Sequence, residues 1–265
     1  TTFTGADDVI FSDALNHASL IDGARLSKAD VEIFAHNDLA DLGRRLARHG
    51  DARRRLVVVE SVYSMDGDLA PLDGLLALAE RFDAHLYIDH AHGAGVFEGR
   101  FVDSPRTLGQ MVTGGKALGV GGAFVCASEV AIDLLVNRGR AFVFTTAVPP
   151  ATAAALCRAI EVVEAEPTRR ERVHQLAALL RQRLREGDID APGQSPIVPV
   201  VLGSADRAMA VAERVREAGY DVRAVRPPTV PAGTSRLRIV VHADHDETQI
   251  EGLANAVCAA VREQP

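Results

Sequence analysis

The sequence predicts an α/β fold, a large domain on a mostly parallel sheet followed by a small α+β unit. Two observations carry that prediction. Short apolar runs alternate with amphipathic stretches over residues 1–150, the pattern of parallel strands joined by helices. Polar residues able to do chemistry follow those runs directly. Asp13 and His17 follow the first, Ser64 the second, and Asp89 and His92 the third. Open α/β sheets bind ligands at the carboxyl ends of their strands.

Taken in order, Val9-Ile10-Phe11, Leu56-Val57-Val58-Val59 and Leu86-Tyr87-Ile88 read as buried strands. Phe124-Val125-Cys126 and Phe142-Val143-Phe144 extend the series. Helical periodicity covers residues 38–49, 72–82 and 129–137 between them. Residues 99–111 look compressed, so the strand before Thr113 is expected to be short. A long helical region follows over residues 150–186. It breaks near Glu166-Pro167, because proline lacks the N–H a helix interior needs. Asp190-Ala191-Pro192-Gly193-Gln194-Ser195-Pro196 is a turn-rich link. The domain boundary is placed there, giving 1–192 and 193–265, with the long helix bridging the two parts. The second part reads as strand 197–202, helix 205–219, strands 222–225 and 237–241, and closing helix 246–262.

Composition narrows the function classes. In 265 residues, 47% hydrophobic and 25% charged content suits a folded enzyme-sized core. The net charge is −7 and no basic run is interleaved with aromatics, so a nucleic-acid partner is not expected. No apolar stretch is long enough to span a bilayer, and the start does not read as a signal peptide. Cys126, Cys157 and Cys258 are scattered, without a CxxC pair. A cytoplasmic protein is the expectation.

Lysine is nearly absent: Lys28 and Lys116 are the only two among 29 Lys and Arg residues. Lys116 sits in Thr113-Gly114-Gly115-Lys116-Ala117-Leu118-Gly119. A desolvated amine can lose its proton and act as nucleophile or base, which guanidinium cannot. The loop is not a Walker A motif, since Gly115 intervenes and Ala117 replaces the magnesium-binding hydroxyl. Asp89-His90-Ala91-His92 admits three readings: a metal site, a satisfied acid and histidine at a strand end, or a cofactor site. Zinc needs further ligands that the local sequence does not supply. Pyridoxal phosphate unites the pieces. It requires a lysine for its Schiff base and a carboxylate at its pyridine nitrogen. Lys116 and Asp89 meet those needs, with His17, His92, Ser64 and Thr113 as candidate supporting groups.

On six motifs in order the chain resembles the α-oxoamine synthases, pyridoxal-phosphate enzymes of aminotransferase fold type I. They are Leu15-Asn16-His17-Ala18-Ser19, the run from Glu60 through Ser64 to Asp68, Asp89-His90-Ala91-His92-Gly93, the Lys116 loop, Thr145-Thr146-Ala147-Val148-Pro149-Pro150, and the stretch from Arg226 to Arg238. By that resemblance Lys116 carries the cofactor and shuttles the α-proton, Asp89 pairs with the pyridine nitrogen, and His17 stacks on the ring. His92 and Ser64 contact the phenolic oxygen. Thr113 binds the phosphate, joined by Thr145 or Thr146 from a partner subunit, and Arg236 holds the amino-acid carboxylate. The implied reaction is decarboxylative condensation of an amino acid with an acyl-CoA thioester by a homodimer. Arg226-Pro227-Pro228-Thr229-Val230-Pro231 points to the branch using L-alanine; a glycine-using relative or a non-catalytic subunit is the alternative. The family's chain is longer at its amino end, so a segment with an acyl-CoA-contacting arm and a phosphate-cradling helix start is expected to be missing. His90 stands where the family commonly has a second acid.

Overall fold

The structure is a computed structural model, described for residues 1–263. Contacts divide the chain into two units. The first is Thr1–Tyr63 with Ala70–Ala165; the second is Ser64–Leu69 with the chain from Glu166 onward.

In the first unit the apolar runs become strands. They are β1 (Asp8–Asp13), β2 (Asp30–Phe34), β3 (Arg54–Glu60), β4 (His85–Asp89), β5 (Thr107–Thr113) and β6 (Ala123–Cys126). They form one sheet in the order β2-β1-β3-β4-β5-β6. The first five strands are parallel and β6 returns antiparallel to β5. Because β1 lies between β2 and β3, the chain reverses its direction of travel across the sheet there. The crevice at the carboxyl ends of β1 and β3 is where such sheets take ligands. Val57, Val59, Leu86 and Ile88 are buried in the central strands and pack with Phe11, Leu42, Leu46 and Leu75. Each such side chain contributes about 1.5–3 kcal/mol on leaving water.

The helices are α1 (Ala18–Leu26), α2 (Leu39–Arg48), α3 (Leu72–Arg81), α4 (Glu129–Arg138), the single turn α5 (Arg140–Val143) and α6 (Pro150–Ala165). α2 shows why its sequence is helical. Asp38 caps it by accepting from the Asp41 N–H at 2.8 Å, and Leu42 and Leu46, one turn apart, face the core. Gly43 sits in the same helix with a Leu78 methyl at van der Waals distance from where a Cβ would lie.

Three expectations are corrected here. Phe142-Val143-Phe144 is not a buried strand: the segment runs through α5 and its end, with Phe142 62% and Phe144 73% exposed. Apolar runs of three are too short to distinguish a strand from a helical turn. The strand before Thr113 is a full seven residues rather than short. β2 was not anticipated, because its Asp30-Val31-Glu32-Ile33-Phe34 lies at the sheet edge with Phe34 as its one buried residue.

The second unit holds α7 (Pro167–Glu186), β7 (Ile197–Gly203), α8 (Ala205–Glu217), β8 (Arg223–Val225), β9 (Ser235–Val240) and α9 (Glu247–Glu263). Its antiparallel sheet has the order β7-β9-β8. Leu176, Ala177, Leu180 and Leu184 of α7 belong to its core, with Val198, Leu237 and Val257. The division at 165/166 therefore falls ahead of the boundary expected near residue 192, since α7 contributes its apolar face to this core. The break at Glu166-Pro167 is as expected, with Pro167 opening α7, where its missing N–H costs nothing. Arg181 is buried within the unit and donates to the carbonyls of Ser195 at 2.6 Å and Ile197 at 2.9 Å. It pins the turn-rich link to α7. Residues 64–69 join this unit at Gly67, whose φ of 66° and lack of Cβ allow the Ile197 carbonyl to come close.

Candidate active site

The first unit gathers its chemistry at the carboxyl edge of the sheet. Asp89 ends β4 and is 3% exposed. Its Oδ1 accepts from the Ala91 N–H at 2.7 Å. Burial pushes its carboxyl pKa up, while that N–H and the charges of Lys116 and His17 pull it back. Asp89 is thus a desolvated carboxylate with cations in its field. Such a group favours a positively charged ligand atom, here a protonated ring nitrogen.

Lys116 lies in the turn between β5 and β6, with Nζ 2.9 Å from Nε2 of His92. The turn is tightly built. Gly114 donates to the Gly122 carbonyl at 2.8 Å, and its own carbonyl accepts from the Val120 N–H at 2.9 Å. A Cβ at Gly114 would stand 2.3 Å from the Val120 carbonyl oxygen, so no other residue fits. Gly119 and Gly122 take positive φ, 65° and 96°. Thr113 closes β5, and its Oγ1 accepts from the Gly115 N–H at a long 3.5 Å.

His17 is the N-cap of α1, its Nδ1 accepting from the Ser19 N–H at 3.2 Å. The capping bond fixes the tilt of an exposed ring, which is compatible with covering a flat ligand. His90 is turned into the protein. Its Nε2 meets Gln110 Oε1 at 3.0 Å and its ring stacks on Phe101. Burial lowers its pKa to about 4, so it stays neutral. His90 and His92 therefore do not act as a ligand pair, and among the described residues no group of three His, Cys, Asp or Glu could hold a metal ion. Thr145 and Thr146 lie in the exposed stretch after α5.

Ser64 and Arg236 belong to the second unit. Ser64 is buried and its carbonyl accepts from Arg238 Nε at 2.5 Å. Arg236, in β9, is also buried; its Nε donates to the Thr234 carbonyl at 3.0 Å and its Nη1 pairs with Asp66. An arginine already ion-paired would exchange Asp66 for another carboxylate rather than meet it from water.

One residue of this edge had no role assigned from sequence. Glu60 ends β3, is 2% exposed and faces Asp89 in register. The available signal was a carboxylate closing the apolar run Leu56-Val57-Val58-Val59.

A lysine in a glycine-built turn, a dry carboxylate and a histidine at the strand ends of a parallel α/β sheet define a class. It is that of the pyridoxal-phosphate transferases of fold type I, and the donor set fits the cofactor at both its ends. Residues 1–257 match the family Aminotransferase class I and II. The chain belongs to that family. It is 47% identical to the 8-amino-7-oxononanoate synthase of Anaeromyxobacter dehalogenans, over 98% of this chain and 67% of that protein. It thus spans about two thirds of the length of its curated relatives. Among solved structures it is similar to one described as SPT with PLP internal aldimine, at TM-score 0.93 and 30% identity, covering 99% of this chain and 68% of that one. The 8-amino-7-oxononanoate synthase of Francisella tularensis matches at TM-score 0.81 and 27% identity, covering 99% and 78%.

Proposed function

We propose that the chain is a pyridoxal-phosphate C-acyltransferase that condenses an amino acid, L-alanine, with an acyl-CoA thioester, as in 8-amino-7-oxononanoate synthases of biotin formation. The observation that carries this reading is the combination of Lys116 beside His92 with Asp89 buried in the field of Lys116. The similarity to 8-amino-7-oxononanoate synthases selects the acyl-CoA reaction from the many that this fold hosts.

Bound pyridoxal phosphate supplies the electron sink that makes the α-carbon acidic and accepts the electrons released with carbon dioxide. The chain's residues do the rest. Asp89 holds a proton on the ring nitrogen by charge-assisted hydrogen bonding. Lys116 Nζ would hold the cofactor at its aldehyde carbon, and its amine would serve as the base that holds the substrate's α-proton. His92, 2.9 Å from Lys116 Nζ, shares that amine's proton and orients it. His17 covers one face of the ring and limits water there. His92 and Ser64 serve the phenolic oxygen, and Thr113 the phosphate, with Thr145 or Thr146 reaching it from a second copy in a homodimer. Arg236 takes the amino-acid carboxylate through its planar pair of donors. The protein is assigned to the cytoplasm; among the described residues no helix is long and apolar enough to cross a membrane.

The test is an absorption spectrum with pyridoxal phosphate, followed by L-alanine and a panel of acyl-CoAs with thiol release as readout. A cofactor band in the visible that Lys116→Ala abolishes, with turnover on L-alanine, is the expected result. A band that persists in Lys116→Ala overturns the lysine assignment. Turnover on glycine alone moves the chain to the glycine-using branch, and no turnover with any thioester favours a non-catalytic subunit.

A further inference from the structure

Glu60 is the carboxyl at the sheet edge that the reading above leaves without a task. Register pairs it with Asp89 across β3 and β4, so two acids end adjacent parallel strands on the same face. Both are buried. Charged groups surround Glu60 from each neighbouring element. Asp13 stands at the end of β1, itself bonded to His36 Nδ1 at 2.8 Å. From β4 comes Asp89, and from the turn after β5 comes Lys116. The main-chain N–H of His17 faces the Glu60 carboxyl from across the switch point between β1 and β3 and favours its charged form. Glu60 Oε1 has no hydrogen-bond partner.

Two adjacent buried carboxyls do not both ionise. Asp89 has the stronger hold on the charge, because the Ala91 N–H, Lys116 and His17 all favour its ionised form. An ionised Glu60 would leave a buried charged oxygen unmatched, and burying a neutral O–H in its place costs less. Burial, followed by the charge of Asp89, pushes the Glu60 carboxyl up to about 8.

The geometry points to Glu60 as a positioning residue for the cofactor: a neutral acid that leaves the pair's single negative charge on Asp89 and offers an acceptor to the main-chain N–H of His17. It acts through those two residues, and the inference rests on the function proposed above.

The test uses the whole chain with Glu60→Gln and Glu60→Ala, read in two ways. Infrared difference spectra of the cofactor-free protein follow the carbonyl band of a protonated carboxylic acid against pH. The expected band is present at neutral pH, titrates away near pH 8, and is missing from Glu60→Gln. Pyridoxal-phosphate affinity is then measured by fluorescence quenching. Glu60→Gln keeps a neutral carbonyl acceptor and is expected within about threefold of the parent, while Glu60→Ala loses about tenfold or more. Absence of the titrating band, or a Glu60→Gln variant as weak as Glu60→Ala, overturns the proposal. Should Glu60→Ala not fold, the parent and Glu60→Gln still decide it. Failure of the parent itself to bind pyridoxal phosphate sinks the functional reading instead.

Discussion

At the scale of single residues, the site separates charge by environment. Asp89 and Glu60 are the same chemical group, one strand apart, and burial raises the pKa of both, but the Ala91 N–H and the charges of Lys116 and His17 pull only Asp89 back strongly enough to make it the better holder of the pair's charge. A consequence for stability follows. Glu60 has a folded-state pKa above its ordinary 4.5, so the native protein binds a proton more tightly than the unfolded chain does. That contribution is fully present below about pH 4.5 and is lost as pH rises toward 8. The thermal midpoint of the cofactor-free protein is expected to carry a downward component over that window, which Glu60→Gln lacks; differential scanning calorimetry at a series of pH values measures it. Asp89→Asn removes a desolvated charge and is expected not to lower the thermal midpoint, yet to cut kcat by about 100-fold or more. Steady-state kinetics beside a melting curve separates the two effects. Gly114→Ala must displace both the Val120 carbonyl and a Leu156 methyl. It is expected to cost about 1–3 kcal/mol of stability by urea denaturation and to weaken cofactor binding.

At the scale of elements, legibility in the sequence followed burial. β3 and β4 are continuous apolar runs because both faces of a central parallel strand are covered, and their residues were readable for that reason. β2 is an edge strand bearing Asp30 and Glu32, so its pattern resembles a loop. α1 gave no clear apolar stripe, since Ala24 is its single buried residue. Phe142-Val143-Phe144 misled because apolar content was read as burial, whereas these side chains are exposed. Arg181 escaped notice as one arginine in the basic helix α7. Its four donor contacts to the carbonyls of Ala177, Pro192, Ser195 and Ile197 make it the clamp of the second unit. Arg181→Ala strands buried carbonyls and is expected to cost about 3 kcal/mol. Chemical denaturation of the full chain checks that figure, with Arg185→Ala, an exposed neighbour on the same helix, as the near-neutral control.

For the whole molecule, the exposed apolar side chains Phe142, Val143, Phe144 and Val148 stand close in sequence to Thr145 and Thr146. Such exposed apolar side chains are what an interface would cover, and they support the proposal of a homodimer in which those threonines would reach the partner's phosphate. Sedimentation velocity is expected to find a dimer, and the double substitution Phe142→Asp with Phe144→Asp to yield monomer with weakened cofactor affinity. A monomeric parent that binds cofactor fully would remove Thr145 and Thr146 from the site.

The sequence by itself proposed the chemistry: which lysine, which carboxylate, which histidines, and that they follow the ends of strands. These are local facts, written in residue type and in the step from an apolar run to a polar turn. Tertiary structure alone decided the neighbours. It set Glu60 in register with Asp89, brought the His17 main chain to Glu60, turned His90 toward Gln110 and moved α7 into the second unit's core. Strand register and side-chain burial arise from contacts between residues far apart in the chain, and no local pattern encodes which two carboxyls will share one dry site.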